Sequence, residues 1–168
     1  DSGRVFLDSL EVTACGRKDL RTVRGKVQLV MQNALGSLDP HQSVAGILEE
    51  PLRLLFHMGI EERKRRCLEL LDMARLERDM LRRRPDELSG GQQKRLCIAR
   101  ALAAQPQHII FDESFSGLDV TLKKQVLDFL KELQTKLQIS FLVITHDLDT
   151  AMYMAGTIHV MRRGKIIE

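Results

Sequence analysis

Val5 and Leu7 alternate with polar neighbours in "DSGRVFLDSLEV", after a turn at Ser2–Gly3, and this alternation predicts a strand. "KVQLVM" (26–31) predicts a second strand, running into a loop, "QNALGSLDP", marked by Gly36, Asp39 and Pro40. From 43 to 88 the spacing becomes helical. Ser43 is placed to cap "VAGILEEPLRLLF", and Pro51 is expected to kink or divide that helix. In "IEERKRRCLELLDMARL", Ile60, Cys67, Leu68, Leu71 and Ala74 fall on one stripe with charge opposite, predicting a second amphipathic helix.

The pattern then changes. "HIIFDE" (108–113) is a short apolar run ending in two carboxylates. Residues 120–138 place Leu122, Val126, Leu130, Leu133 and Leu137 on one helical face, and "FLVIT" (141–145) follows as another apolar run ending beside His146. Continuous apolar strands joined by a helix predict a βαβ unit in a parallel sheet covered on both faces. "TIHVM" and "KIIE" flank "RRG" and predict a hairpin. The organisation is α/β, with residues 43–88 as a helical insert forming a lobe of its own.

A chain of 168 residues, 43% hydrophobic and 29% charged, suits one globular domain. A net charge of +3 does not by itself argue for nucleic acid. "RKRR" (63–66) and "RRR" (82–84) read as solvated helix faces balanced by Glu61, Glu62, Glu69 and Glu77. Cys15, Cys67 and Cys97 are odd in number and widely spaced, which suggests neither a disulfide framework nor a zinc site and fits a reducing compartment. No apolar run approaches a membrane span, and nothing at the start reads as a signal peptide.

Four features carry candidate chemistry. In "LSGGQQKR" (88–95), Ser89 and Gln92 form a capping box. The same geometry suits a phosphate: Gly90 and Gly91 let it approach the backbone, and the helix start supplies amides and positive potential. Taken alone, the two readings are evenly matched. Asp112 and Glu113 end a buried strand at the edge where open α/β sheets bind ligands. There Asp112 can hold Mg²⁺ through water and Glu113 can act as a general base. His146 ends the next strand and can hydrogen-bond a phosphate. Gln32 ends the strand "KVQLVM" and can touch Mg²⁺ or water through its amide. Each has a plain structural alternative: a strand-end cap, a bystander histidine, a loop residue.

In this order and spacing the motifs resemble the ATP-binding cassette (ABC) ATPase family, over essentially the whole chain. Gln32 matches its Q-loop, "LSGGQ" (88–92) its signature, and "HIIFDE" its Walker B strand with the catalytic glutamate. "SGLD" (116–119) matches the D-loop and His146 the H-loop. The resemblance implies a P-loop NTPase-like fold, with 1–42 as strand region and Q-loop, 43–88 as helical subdomain, and 89–168 carrying signature, Walker B, D-loop and H-loop. It implies ATP and Mg²⁺ as cofactors. It also implies a head-to-tail dimer with a second ATPase subunit, in which Ser89, Gly90, Gly91 and Gln92 hold the γ-phosphate of the partner's ATP. Asp112, Glu113, Gln32 and His146 then serve the chain's own site, and Asp119 aligns the two. Transmembrane permease subunits are the expected further partners, nucleic acid is not, and the expected location is the cytoplasmic face of the membrane. "VQLVMQNALGSLDPHQSVAGILEEPLRLL" is similar to the peptide and nickel importer branch, and ATPases of phosphonate-degradation systems look similar there.

A phosphate loop needs G-x-x-x-x-G-K-[ST]. Neither Gly25–Lys26 nor Gly164–Lys165 fits that pattern. The expectation is therefore a chain that begins after the phosphate loop, lacks the N-terminal strand and Walker A part, and is inactive in isolation. It would be a fragment, an incomplete product or half of a split ATPase, the first being preferred. Two rival functions stay in view: a soluble ABC ATPase outside transport, and a non-catalytic module supplying only signature contacts.

Overall fold

Three parallel strands order the molecule in a computed structural model that describes residues 3–33 and 35–168. They are β3 (Val27–Met31), β4 (His108–Asp112) and β5 (Ser140–Ile144), arranged β3-β4-β5, and they follow a short antiparallel pair, β1 (Phe6–Leu7) and β2 (Leu10–Glu11). The register sets Phe111 between Val30 and Val143, and Asp112 between Met31 and Ile144. Because side chains alternate across a strand, Val30, Ile109, Phe111, Phe141 and Val143 fall on one face and pack into the core. Phe111 anchors it, edge-on to Phe141 at 5.2 Å and tilted to Phe115 at 5.4 Å.

The opening stretch is not one strand. Asp8 takes φ 54° and turns the chain, so β1 and β2 pair as a hairpin. The expected Ser2–Gly3 turn lies partly outside the described residues, as does Ala34 of the following loop. Next comes α1 (Arg17–Lys26), a helix that buries no residue, and it leads directly into β3. The expectation of a missing N-terminal strand is thus corrected. Residues 6–26 form a strand pair and a helix, and the salt bridge from Lys26 to Asp8, 2.8 Å, ties one to the other.

The helical region consists of α2 (Val44–Phe56) and α3 (Ile60–Met73), followed by 3₁₀ turns at Arg78–Arg82 and Pro85–Glu87. Ser43 Oγ accepts from the Gly46 amide at 3.2 Å and starts α2. Pro51 does not divide α2, which keeps Val44, Ile47, Leu48 and Leu52 buried on one row. On α3 the buried row is Cys67, Leu70, Leu71 and Ala74. Ile60 is in phase with it but sits in the first turn, at 61% exposure. The apolar faces of α2 and α3 join one continuous core with α4 (Gly90–Ala103) and the inner sheet face.

α5 (Val120–Leu137) buries Val126, Leu127, Phe129, Leu130 and Leu133. It crosses from β4 to β5, the connection that parallel pairing requires. The opposite sheet face differs from expectation. Leu29 and Leu142 are 49% and 57% exposed, so among the described residues the sheet is covered on one side only. Apolar composition predicted burial on both faces, but α4 and α5 pack on the same one. α6 (Leu148–Met154) and the hairpin β6 (Met161–Arg162) with β7 (Lys165–Ile166) complete the chain. No helix among the described residues is long and apolar enough to cross a membrane, and Cys15, Cys67 and Cys97 form no disulfide.

Candidate active site

The C-terminal ends of β3, β4 and β5 bring the predicted residues together. Gln32 follows β3, Asp112 ends β4 with Glu113 just after it, and His146 lies two residues beyond β5. Parallel register delivers them to one edge of the sheet. Glu113 holds φ 47°, left-handed for a residue with a side chain, while its amide still bonds the Ile144 carbonyl at 2.9 Å. Such backbone strain persists only where surroundings enforce it, and it collects at working sites. The result aims Glu113 at His146. The His146 backbone amide donates to the Glu113 carboxylate at 3.1 Å, and Nδ1 lies 2.9 Å from that carboxylate.

Gln32 joins through Ser116, a residue the sequence reading did not single out beyond its place in "SGLD". Gln32 Nε2 donates to Ser116 Oγ at 2.9 Å, and Ser116 Oγ donates to the Glu113 carbonyl at 2.8 Å. Asp112 is exposed on the open sheet face, between Met31 and Ile144. A cavity of about 340 Å³ borders this edge, lined by Phe115, Ser116, Gly117, Lys123, Thr145, His146 and Asp147. A second cavity, about 350 Å³, lies between α2 and α3 and contains none of the predicted residues.

Lys123 and Asp147 were missed. They pair at 2.7 Å and fasten the start of α5 to the loop carrying His146. The Lys123 ammonium, then the Thr150 hydroxyl, hold the Asp147 carboxyl well below the usual carboxylate range. Asp147 also caps α6 through the Asp149 and Thr150 amides, so an aspartate before "LDTAMYM" was the available signal. Lys94 was likewise missed within "LSGGQQKR". It is buried, and burial pushes its ammonium below the ordinary lysine range.

The signature residues start α4. Ser89 Oγ accepts from the Gln92 amide at 3.3 Å, and Gln92 Oε1 accepts from the Ser89 amide at 2.9 Å, closing the capping box. A Cβ on Gly90 would meet nothing, so its outer side is open. One on Gly91 would come within 2.8 Å of Leu122 Cδ1, so Gly91 lets α4 approach α5. Asp119 caps α5, accepting from the Leu122 amide at 2.9 Å. Signature and D-loop are therefore neighbours. Among the described residues, no hydrogen bond joins Ser89 or Gln92 to Glu113 or His146.

Asp112 and Gln32 are hard oxygen donors of the kind Mg²⁺ takes when it keeps most of its waters and leans on substrate phosphates. The described residues contain no cluster of three or more His, Cys, Asp or Glu that could hold a metal unaided. The chemistry of these two side chains fits that ion.

The ABC transporter family model matches residues 1–116. The oligopeptide transport ATP-binding protein OppF of Lactococcus lactis is 41% identical over 167 residues, 99% of this chain and 52% of that protein. The nickel import ATP-binding protein NikE of Brucella abortus is 38% identical over 99% of this chain and 63% of its own length. The chain thus spans between half and two thirds of these relatives. The ATP-binding cassette MJ0796, solved as a dimer bound to ADP and Pi, superposes with TM-score 0.78 at 33% identity, over 91% of this chain and 66% of that one. CbiO1 of Clostridium perfringens, part of the ABC transporter complex CbiONQ, does so with TM-score 0.86 at 27% identity, over 99% and 65%. The family match begins at residue 1 and takes in the whole N-terminal segment. It overturns the expectation of a domain lacking its N-terminal strand and phosphate-loop region, and the inference that the isolated chain is inactive for want of them. With its signature, strand-end carboxylates and histidine set on this fold, the chain belongs to the ABC transporter family.

Proposed function

We propose that the chain is the ATP-hydrolysing subunit of an importer, pairing head to tail with a second such subunit beneath membrane-embedded permease subunits on the cytoplasmic face. The observation that carries this reading is the Glu113–His146 contact at the sheet edge, joined to Gln32 through Ser116. The solute class follows from the relatives, whose names state oligopeptide transport and nickel import. A peptide or a nickel species is the proposed cargo.

Glu113 takes a proton from the water that attacks the γ-phosphate, and His146 orients that carboxylate and offers a hydrogen bond to the phosphate. Asp112 and Gln32 would hold Mg²⁺, which neutralises phosphate charge when bound. Ser89, Gly90, Gly91 and Gln92 present amides and a hydroxyl to the γ-phosphate of the partner's nucleotide. Asp119 sets the D-loop beside that signature. Lys123 and Asp147 hold the histidine loop in place.

ATP turnover by the full chain, wild type against Glu113→Gln, tests this. The amide cannot accept a proton, so turnover should fall at least ~100-fold while ATP binding persists. Undiminished turnover removes Glu113 from the reaction and the proposal with it.

A further inference from the structure

Lys94, Cys97 and Arg100 stand at successive i, i+3 positions on α4, a helix otherwise largely buried. All three meet the chain that follows β3. Lys94 Nζ donates to the carbonyls of Met31 and Gln32, at 3.1 and 3.2 Å. Cys97 Sγ lies 3.4 Å from Ser37 Oγ, and Arg100 donates to the Ser37 carbonyl.

Lys94 is the unusual member. It is 3% exposed, and no carboxylate is among its ion-pair partners in the described residues. Burying an ammonium without a countercharge is unfavourable, and a methionine of similar length would pack there without that cost. The two carbonyls it reaches are the last of β3 and that of Gln32 itself. The other end of Gln32, its amide, is held by Ser116.

We propose that Lys94 is a positioning residue for Gln32, its ammonium fixing the backbone at 31–32 to the signature helix so that the two move together. The inference rests on the ATPase reading for its consequence, not for its geometry. A tilt of α4 as a phosphate seats on Ser89 and Gly90 would carry the Gln32 backbone with it. The weaker contact, the single hydrogen bond to Ser116, is the one that gives way.

The test uses the full chain with Lys94→Met, Lys94→Gln and Lys94→Arg, each checked for a cooperative melt. Hydrogen–deuterium exchange is followed in peptides covering 28–33 and 95–103, alongside kcat and KM for ATP. Lys94→Met should raise exchange about tenfold in 28–33 and leave 95–103 unchanged. It should lower kcat about tenfold with KM held within about twofold, the pattern of lost positioning rather than lost binding. Lys94→Arg, which keeps the cationic donor, should restore both. Lys94→Gln, neutral and too short to span two carbonyls, should resemble Lys94→Met and stands in for it if that variant does not fold. Unchanged exchange in 28–33 for the neutral variants overturns the proposal, as does loosening that spreads equally through 95–103 and is not rescued by arginine. If the wild-type chain turns over no ATP, the ATPase reading fails, while the exchange experiment still decides what Lys94 holds.

Discussion

Ser89 can be asked to do two jobs, and one pair of substitutions separates them. Ser89→Ala removes the acceptor for the Gln92 amide, a contact already long at 3.3 Å. The reciprocal bond from the Ser89 amide to Gln92, 2.9 Å, survives. The cost should therefore sit at the low end of cap losses, about 0.5–1 kcal/mol. Ser89→Asp keeps an acceptor and places a negative charge at a helix start, where it is favoured by about 0.3–1 kcal/mol. Its stability should match wild type within about 0.5 kcal/mol. A phosphate is a different matter. Two like charges about 4 Å apart repel by roughly 4 kcal/mol at an effective dielectric of 20. At 1.4 kcal/mol per decade this removes about three orders of magnitude in affinity. Urea unfolding gives the first quantity. Sedimentation with MgATP in a Glu113→Gln background gives the second, as ATP-driven association. The cap-only reading predicts that the aspartate variant associates like wild type. Association within threefold of wild type would refute the phosphate role, however the stabilities fall.

Leu130 is fully buried on α5, so Leu130→Ala should cost about 2–5 kcal/mol in chemical denaturation; a loss under about 1 kcal/mol would contradict the packing described. The Asp147 carboxyl is held below its ordinary range by Lys123 and Thr150. Such a group stabilises the fold above the unfolded carboxylate pKa of about 3.9, and that contribution drains away as pH falls below it. The urea midpoint of wild type should thus exceed that of Asp147→Asn at pH 6 and approach it below about pH 3.9. A difference that stays constant well below about pH 3.9 would show that the ion pair contributes nothing.

The strands of the sheet were legible because "KVQLVM", "HIIFDE" and "FLVIT" are short apolar runs bounded by loops, too short for buried helices. The proximity of Glu113 to His146 was legible for the same reason: residues that end adjacent parallel strands meet at one edge. What the pattern hid has identifiable causes. α1 buries nothing, so Arg17–Lys26 shows no apolar stripe to read. Leu29 and Leu142 are as apolar as core residues yet stand on an uncovered face, because composition records what a side chain prefers and not which helices pack over it. Nothing in the spacing of "LSGGQQKR" marks Lys94 as buried. Burial and the approach of the Met31 and Gln32 carbonyls distinguish it from Lys123, whose partner is a carboxylate. The missing G-x-x-x-x-G-K-[ST] pattern hides the N-terminal region, where residues 6–26 fold as a strand pair and a helix and the family match begins at residue 1.

The central claim is a site shared between two chains, and single-turnover ATP cleavage in mixed pairs tests it most directly. One pair joins a Gly90→Asp chain to a Glu113→Gln chain. The other joins a chain carrying both substitutions to a wild-type chain. A Cβ at Gly90 meets only open space, so the aspartate acts on whatever approaches the signature and not on the fold. If the signature serves the partner's nucleotide, the first pair keeps one intact site, while the second has both sites damaged. The account predicts clear cleavage in the first pair and little in the second; equal rates in the two pairs would contradict it.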